Sequence, residues 1–355
     1  MKQNTGAETA ARVVAEVIER TPEVIEVRVP ADQHVIQRHL GLALRARHGD
    51  AVIDVLAPGW TLPVVERMPE VRRAIEMPVG HRELRIGARW KVARELRRER
   101  YDQAIVLPNT FKSALVPLLA GIPTRTGYIG EARYFLLTQA RRPSPERLLQ
   151  LAQRYAQLAL PRGETLKLPL PPLGLRVDEE ARRALLARLG IEKQRPGAAL
   201  CPGAEFGPAK RWPSRYFAEL SQGLAARGCE IWLVGSRKDA TLGEEIAKLA
   251  GGACRNLCGA TTIGEAIDLL SAAALVVTND SGLMHIAAAL GKPQVALYGS
   301  SSPEFTPPLS PNAQILKLDL PCSPCFKREC PLGHFDCMNQ LLPDRVLEEI
   351  DFDRI

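Results

Sequence analysis

This chain lacks the features that mark several large classes of protein. Its 355 residues contain no run approaching the roughly 20 apolar residues of a transmembrane helix. The segment Met1–Glu8 has no apolar stretch of the kind that signal peptides carry, so we expect a cytoplasmic protein. Only 5% of the residues are aromatic and no nucleic-acid-binding motif is present, which argues against a nucleic-acid partner.

The glycine pattern of dinucleotide-binding enzymes is missing too. No Gly-x-Gly-x-x-Gly segment follows an apolar strand, which disfavours a Rossmann-type dehydrogenase. What the chain does have is a composition typical of globular proteins, with 46% hydrophobic and 25% charged residues. A chain of this length usually builds more than one hydrophobic core, and we therefore expect two domains.

Much of the net charge of +7 comes from one segment, residues 82–100. Three glutamates in this segment, Glu83, Glu95 and Glu99, offset only part of its positive charge. One interpretation is a solvated helix face, and the other is a surface drawn to anionic lipid head groups or to a phosphorylated acceptor. The basic residues are Arg82, Arg85, Arg89, Lys91, Arg94, Arg97, Arg98 and Arg100.

Strand and helix patterns alternate along both halves of the chain. Short, mostly apolar runs predict strands at 24–29, 51–56, 103–107, 198–201, 230–234, 274–277 and 294–297. The intervening segments predict helices, among them 33–47, 89–100, 112–120, 146–160, 178–189, 214–227, 239–250 and 263–272. This alternation favours the α/β class, with parallel sheets covered by helices.

A proline-rich segment, residues 161–172, separates the two halves. We predict a Rossmann-like domain over 1–165, whose first 43 residues are atypical, and a second Rossmann-like domain over 166–340. A closing helix is expected within 341–355. Two such domains would place a ligand cleft between the carboxyl ends of their sheets.

The most informative segment spans residues 277–290. An apolar strand ends at Asn-Asp-Ser-Gly (279–282), and a helix-forming run starts at once. The free N–H groups and the positive dipole end of such a helix suit a diphosphate, and Gly282 lets the backbone approach it. The residues alone equally allow an ordinary joint in which a side chain of the turn caps the helix.

Three blocks of sequence resemble one family. They are Leu107–Leu115, Cys201–Pro213, and a third block made of Asn279–His285 with the segments 291–299 and 305–310. In this order they resemble the bacterial lipopolysaccharide heptosyltransferases. The resemblance runs from about Leu44 to the C-terminus.

The resemblance implies the two-domain glycosyltransferase fold called GT-B, in which two Rossmann-like domains face a central cleft. The donor would bind the C-terminal half and the acceptor the N-terminal half, and the closing helix, near 343–350, would cross back onto the first domain. The implied reaction is an inverting transfer of heptose from ADP-heptose to the heptose-containing inner core of lipopolysaccharide, as in a heptosyltransferase II. Two alternatives stay open: a heptosyltransferase I acting on Kdo-lipid A, and an inactive nucleotide-sugar-binding homologue. The acceptor is a glycolipid, which implies peripheral contact with the inner leaflet of the inner membrane.

The resemblance also assigns the donor site to individual residues. Lys210 would neutralise the diphosphate as a point charge and so assist the departure of the nucleotide. The other groups assigned to the diphosphate are the backbone amides of Ser281, Gly282 and Leu283, and the side chain of His285.

Four further residues are assigned to the sugar and the nucleoside. Asp280 would accept hydrogen bonds from heptose hydroxyls, although a capping role explains it equally well. Asp239 would hold the ribose hydroxyls, unless it serves the start of its own helix. Thr261 and Thr262 align with the turn that contacts adenine, and capping of the next helix again explains them as well.

In the acceptor half, Asn109, Lys112 and Ser113 follow a predicted strand. Lys112 could meet phosphate groups or sugar carboxylates of the inner core, or it could be a solvated lysine. Relatives carry a Gly-Asp turn near the N-terminus whose aspartate is the expected general base, and this chain has no such turn. Asp32 lies in the corresponding region, about one residue out of register, and is our candidate for the base.

Four cysteines cluster near the C-terminus within the proline-containing loop 321–338. Their spacing is Cys-x2-Cys-x4-Cys-x6-Cys, and the ligands would be Cys322, Cys325, Cys330 and Cys337. In a reducing compartment this pattern suggests a structural zinc site, with His334 as a possible substitute ligand. Free thiols and disulfides are the alternatives. Catalysis itself is expected to need no metal cofactor, because Lys210 and the helix N-terminus can neutralise the leaving group.

Overall fold

The computed structural model describes residues 23–27, 34–49, 51–80, 83–144, 146–192 and 194–355. This part of the chain forms two six-stranded sheets, and every strand pairing within them is parallel. The predicted α/β class is therefore confirmed. No helix among these residues is long and apolar enough to cross a bilayer.

The N-terminal sheet has the strand order β3-β2-β1-β4-β5-β6. Its strands are β1 (Glu23–Val27), β2 (Val52–Ala57), β3 (Val71–Glu76), β4 (Gln103–Val106), β5 (Thr124–Tyr128) and β6 (Gln139–Arg141). The helices of this half are α1 (His34–His48), α2 (Leu62–Val65), α3 (Ile86–Glu99), α4 (Leu115–Leu119) and α5 (Leu151–Gln157). The chain reverses its direction of winding between β1 and β4, which is where ligands bind in doubly wound sheets.

The C-terminal sheet repeats the same topology, in the order β12-β11-β10-β7-β8-β9. Its strands are β7 (Gly197–Cys201), β8 (Glu230–Leu233), β9 (Arg255–Asn256), β10 (Leu275–Asn279), β11 (Gln294–Tyr298) and β12 (Ala313–Lys317). The longer helices are α6 (Glu179–Arg188), α7 (Ser214–Ala225), α8 (Ala240–Leu249), α9 (Ile263–Ala272) and α10 (Gly282–Ala289), followed by α11 (Asp336–Asn339) and α12 (Pro343–Glu348). Here the winding reverses between β7 and β10.

The two halves touch through α2 and the segment that follows it. Val64 and Met68 belong to the same buried cluster as Ile267 and Leu270 of α9. Beside this cluster, the Arg67 guanidinium donates to the Asp268 carboxylate at 2.6 Å. The contact joins an element of the first sheet's half to a helix of the second.

The closing helix does not reach the first half, and the expectation that it crosses back is wrong for the described residues. Val346 of α12 and Ile350 just after it are buried in the core of the C-terminal half, together with Phe217 of α7. The indole of Trp212 fixes the approach to the helix by donating to the Leu341 carbonyl at 2.7 Å. The apolar face of α12 is thus covered within its own half.

Candidate active site

The joint between β10 and α10 lies at the carboxyl end of the central strands. All five residues of β10 are buried, between β7 and β11. Ser281 occupies the N-cap position of α10, and no side-chain hydrogen bond caps the helix there. Asp280 therefore does not act as the cap that the residues alone allowed. The first amides of α10 stay available to an anionic ligand.

Lys210 reaches this joint from the loop that follows β7. Its ammonium group donates to Asp280 at 2.6 Å, and the two side chains are 17% and 5% exposed. The same ammonium lies 5.1 Å from the centre of the Phe206 ring. Lys210 is therefore not a solvated surface lysine, because a buried carboxylate and an aromatic ring hold it at the start of α10.

Asn279 explains why the loop carrying Lys210 lies where it does. Its side-chain oxygen accepts from the Trp212 amide at 3.1 Å, and its nitrogen donates to the Pro202 carbonyl at 2.8 Å. One fully buried amide thus fixes both ends of the loop 202–212 to the end of β10. The sequence analysis did not give Asn279 this role. The available signal was a polar residue at the end of an apolar central strand.

His285 lies in the first turn of α10 and is almost wholly buried. Burial lowers its pKa to about 4, an effect opposed by the nearby Asp280 and reinforced by Lys210. Its Nδ1 atom is buried and has no hydrogen-bond partner among the described residues. The imidazole is therefore neutral at pH 7, where it serves as a hydrogen-bonding group rather than a cation.

Asp239 ends a short 3-10 helix after β8. Its Oδ2 accepts from the Ser236 amide at 2.9 Å and from the Ser236 hydroxyl at 2.6 Å. A side chain at Gly203 would lie 2.7 Å from the carboxylate, so the loop after β7 passes directly against Asp239. The capping role occurs, but both of its hydrogen bonds fall on one oxygen.

Thr262 forms a reciprocal cap at the start of α9. Its hydroxyl accepts from the Glu265 amide at 3.2 Å, and its own amide donates to the Glu265 carboxylate at 2.8 Å. This backbone hydrogen bond is the main reason why the pKa of Glu265 is lowered. The cap accounts for Thr262 without a ligand, while Thr261 is half-buried beside it.

The acceptor half is organised around Arg133, which is fully buried. Its guanidinium donates to the backbone carbonyls of Pro108, Thr110 and Tyr128 and to the side chains of Asn109 and Ser113. Burial lowers the pKa of Arg133 to about 10, opposed by the charge of Glu131, so the group stays protonated at neutral pH. No role was predicted for this arginine from the sequence.

Arg133 separates the roles of the predicted acceptor residues. The Ser113 hydroxyl is buried and donates to the carbonyls of Pro108 and Thr110, while it accepts from Arg133. Asn109 is exposed and Lys112 is half-buried. Asn109 and Lys112 are therefore the members of the trio with side-chain surface for an acceptor, and Ser113 shapes the loop beneath them.

The four clustered cysteines line one small cavity of about 20 Å³, together with His334 and Ser300. All four are free thiols, and Cys330 Sγ accepts from the Phe335 amide at 3.4 Å. The Phe335 amide and the backbone N–H groups of residues 332–334 lower the pKa of Cys330. Burial and the neighbouring thiols raise the pKa of Cys337 to about 11. As placed, no group of three or more His, Cys, Asp or Glu among the described residues is arranged to hold a metal ion.

The cysteine loop also supports the loop that carries Lys210. The Ala209 amide donates to the Arg328 carbonyl at 3.0 Å, and a side chain at Gly207 would lie 2.4 Å from that same oxygen. On its other side, the Phe326 amide donates to the Ser300 carbonyl at 2.7 Å, just after β11. The 321–338 loop therefore braces two elements at the carboxyl edge of the C-terminal sheet.

The structure brings most of the predicted residues to the points where the winding of the two sheets reverses. Lys210, Asp280, Ser281, Gly282, Leu283 and His285 meet between β7 and β10, and Asp239 lies next to them after β8. Thr261 and Thr262 are farther along, after β9. Asn109, Lys112 and Ser113 follow β4 in the other sheet. Asp32, the candidate base, and Arg82 of the basic segment lie outside the described residues.

Known proteins match this chain over most of its length. Lipopolysaccharide heptosyltransferase 2 of Escherichia coli K12 is 45% identical over 326 residues, covering 89% of this chain and 94% of its own. Lipooligosaccharide heptosyltransferase 2 of Haemophilus ducreyi is 41% identical over 331 residues, with 89% and 94% covered. The solved structure of E. coli ADP-heptose LPS heptosyltransferase II superposes with a TM-score of 0.82 at 42% identity, covering 93% of this chain and 97% of that one.

The superposition spans both sheets, which confirms the predicted GT-B arrangement of two Rossmann-like units. The family model described as glycosyltransferase family 9 (heptosyltransferase) matches residues 89–336. This range includes the loops after β4, β7, β8 and β10. By family and by structure, the chain belongs to glycosyltransferase family 9, the heptosyltransferase family.

Proposed function

We propose that this protein is an inverting glycosyltransferase that moves heptose from ADP-heptose to the heptose-containing inner core of lipopolysaccharide. Relatives named heptosyltransferase 2 that are 40–45% identical over most of the chain support this choice of donor and acceptor. The structural observation that carries the proposal is the partly buried Lys210 held at the uncapped N-terminus of α10.

The donor diphosphate lies against the first turn of α10 in this proposal. The amides of Ser281, Gly282 and Leu283 donate to phosphate oxygens, and Lys210 supplies the positive charge that stabilises the departing nucleotide. Because His285 is neutral, it adds a hydrogen bond without adding charge. Asp280, which orients Lys210, offers its second carboxylate oxygen to the heptose hydroxyls.

The nucleoside extends toward β8 and β9. Asp239 uses one oxygen to cap its own helix, so the other oxygen is available to the ribose hydroxyls. Thr261 and the capping residue Thr262 border the adenine. On the opposite sheet, Asn109 and Lys112 contact the acceptor sugars, while Ser113 and Arg133 hold their loop. Asp32 is the proposed base, since it comes soon after β1 in the sequence and β1 is one of the two strands between which the winding of that sheet reverses.

We also propose that Cys322, Cys325, Cys330 and Cys337 hold a structural zinc ion and that catalysis uses no metal. Four thiols that line one small cavity are the donor set that zinc takes in closed structural sites. Binding requires the thiols to turn into that cavity. Elemental analysis of the purified protein should show about one zinc per chain, and chelation should remove it. Purified protein without zinc would mean that the four cysteines are free thiols.

Because the acceptor is a glycolipid, the proposed place of action is the inner leaflet of the inner membrane, reached from the cytoplasm as a peripheral protein. Helix α3 supports this, since it exposes Lys91, Arg94, Arg97 and Arg98 along its outer face. Its Glu99 is paired with Arg73 of β3 at 3.3 Å, and the exposed Glu95 offsets only part of this positive charge. Binding to anionic vesicles should weaken as salt is raised.

The experiment that tests the function follows ADP release and glycolipid mass with ADP-heptose as donor. Mono-heptosylated Kdo-lipid A should gain one heptose, and Kdo-lipid A without heptose should gain none. The reverse preference would identify the reaction of a heptosyltransferase I. Donor binding without transfer to either acceptor would identify a binding homologue, and Asp32→Asn that turns over like the wild type would remove Asp32 as the base.

A further inference from the structure

The N-terminal half exposes an unusual set of large apolar side chains close to the loop of Lys112. We call this set the apolar rim. Phe135, Ile86 and Trp90 are 72%, 60% and 53% exposed. The rim consists of Leu84, Ile86, Trp90, Phe111, Tyr134 and Phe135. A patch of exposed apolar side chains belongs to a binding site more often than other parts of a protein surface do.

Three stretches of chain form the rim: residues 84–90, Phe111, and residues 134–135. The buried guanidinium of Arg89 ties the first stretch to the second, since it donates to the Leu84 carbonyl at 2.6 Å and to the Lys112 carbonyl at 3.1 Å. The rings of Phe111 and Phe135 lie 6.0 Å apart and join the second stretch to the third. All three therefore border the proposed acceptor loop.

The geometry of α3 joins the rim to the basic surface. Arg89, Val92, Ala93 and Leu96 face the core. Beside this buried face, residues 86, 90, 94 and 97 form one exposed stripe along the flank of the helix, since they are spaced by three or four positions. Ile86 and Trp90 lie at its first turns and Arg94 and Arg97 at its last. Apolar and aromatic groups beside arginines are the pattern of a surface that lies in a membrane interface.

We infer that the apolar rim inserts into an anionic lipid bilayer and that the basic face of α3 rests on the head groups. The positive charge of this face selects a lipid surface over a neutral apolar partner. The rim would then hold the acceptor loop at the membrane surface, where the sugar part of a glycolipid emerges. This inference rests on the proposed function for its acceptor, but its lipid binding is tested separately.

Vesicle sedimentation gives the first test, with full-length protein on phosphatidylglycerol vesicles and on phosphatidylcholine vesicles. Binding should favour phosphatidylglycerol, and the double variant Trp90→Ser/Phe135→Ser should bind at least about tenfold more weakly, since each ring loses its apolar burial. The matched control is Leu249→Ser, which removes a similarly exposed apolar residue from α8 in the other half. Equal binding by wild type and rim variant would overturn the inference.

Fluorescence gives the second test, because the chain has four tryptophans, of which Trp212 and Trp232 are buried. In a Trp60→Phe background, vesicles carrying brominated acyl chains should quench Trp90 and shift its emission to the blue. Unquenched emission from vesicle-bound protein would contradict insertion. Concentration-dependent dimers that the rim variant abolishes would instead identify a second copy of the chain as the occupant.

Transfer assays separate this inference from the proposed function. The rim variant should lose transfer to the glycolipid in vesicles but keep transfer to the deacylated, lipid-free acceptor. If the wild type transfers heptose to neither acceptor, the proposed function fails, independently of the result of the vesicle-binding test. Equal activity of the rim variant on the vesicle-borne acceptor would overturn the role of the rim alone.

Discussion

Lys210 has two effects in its charge pair with Asp280. It supplies the positive charge of the proposed donor site, and it compensates a carboxylate that is 5% exposed. We expect Lys210→Met to weaken ADP binding and to lower kcat/KM about 100-fold or more, because one preorganised charge is lost from the leaving-group site. The same change should destabilise the fold by about 3 kcal/mol, since it leaves Asp280 unpaired.

A double variant separates these two effects. Lys210→Met/Asp280→Asn should recover most of the lost stability, because no unpaired charge remains, while ADP binding stays weak. Thermal unfolding and calorimetric titration with ADP measure the two quantities on the same samples. Wild-type ADP affinity in Lys210→Met would remove Lys210 from the donor site.

His285 predicts how stability depends on pH. Its pKa is about 4 in the folded protein, against the usual 6.5 of an unfolded chain. The unfolded state therefore takes up this proton first, and stability that is complete above pH 6.5 is lost as the pH falls toward 4. The loss attributable to this group is roughly 3 kcal/mol.

Denaturant unfolding between pH 4 and pH 7 measures this dependence. His285→Gln keeps a polar group of similar size but does not titrate in this range, so its stability should change less with pH than that of the wild type. Parallel curves for the two proteins would show that His285 is not the group responsible.

Arg133 connects two loops at the carboxyl edge of the N-terminal sheet. We expect Arg133→Lys to raise the KM for the acceptor at least about tenfold, because a lysine cannot reproduce the forked contacts to Pro108, Thr110 and Tyr128. ADP affinity should not change, since the donor groups lie in the other half.

Arg125 provides a matched control for this prediction. It also donates to backbone carbonyls, those of Ile122 and Leu136, but it does not touch the loop of Asn109 and Lys112. Arg125→Lys should lower the melting temperature without changing the acceptor KM. Equal effects of the two substitutions on KM would mean that Arg133 acts through general stability and not through its loop.

Elements with strong apolar patterns were predictable from the sequence. The central strands β2, β4, β7, β10 and β11 appear within one or two residues of their predicted bounds, because each is a buried run. Five strands were not predicted: β3 (Val71–Glu76), β5 (Thr124–Tyr128), β6 (Gln139–Arg141), β9 (Arg255–Asn256) and β12 (Ala313–Lys317). All but β5 lie at sheet edges, and all five contain polar residues, so none of them shows a continuous apolar run in the sequence.

The same reasoning explains which site residues the sequence revealed. The turn 279–282 and Lys210 stand in segments whose residue types already indicate an anion site. Asn279 and Arg133 act through carbonyls and amides of other segments of the chain. The position of Asn279 at the end of an apolar strand was a signal of its burial, but no local pattern indicates the burial of Arg133. Because most arginines are exposed, the sequence alone does not indicate that an arginine is buried.

At the scale of the whole molecule, the question is what holds the two halves in register. The predicted crossing of the closing helix does not supply this link, because α12 finds its apolar partners on α7. Several contacts join the halves, among them the Leu151 amide, which donates to the Phe305 carbonyl at 2.9 Å, and a second group centred on Arg67. Its guanidinium donates to Asp268 of α9 and to the carbonyl of Arg176, and its own carbonyl accepts from the Arg176 amide at 2.8 Å.

This contact gives a prediction that belongs to neither half alone. Asp268 is 2% exposed, so Arg67→Ala leaves a buried carboxylate without its cation and should destabilise the protein by about 3–5 kcal/mol. Arg67→Met/Asp268→Asn should restore stability but not the ionic contact between the halves. If that contact aligns donor with acceptor, the double variant should bind ADP normally yet turn over more slowly. Calorimetric titration with ADP and the transfer assay decide this, since wild-type turnover in a stable double variant would mean that other contacts between the halves, such as that of Val64 and Met68 with α9, set the register.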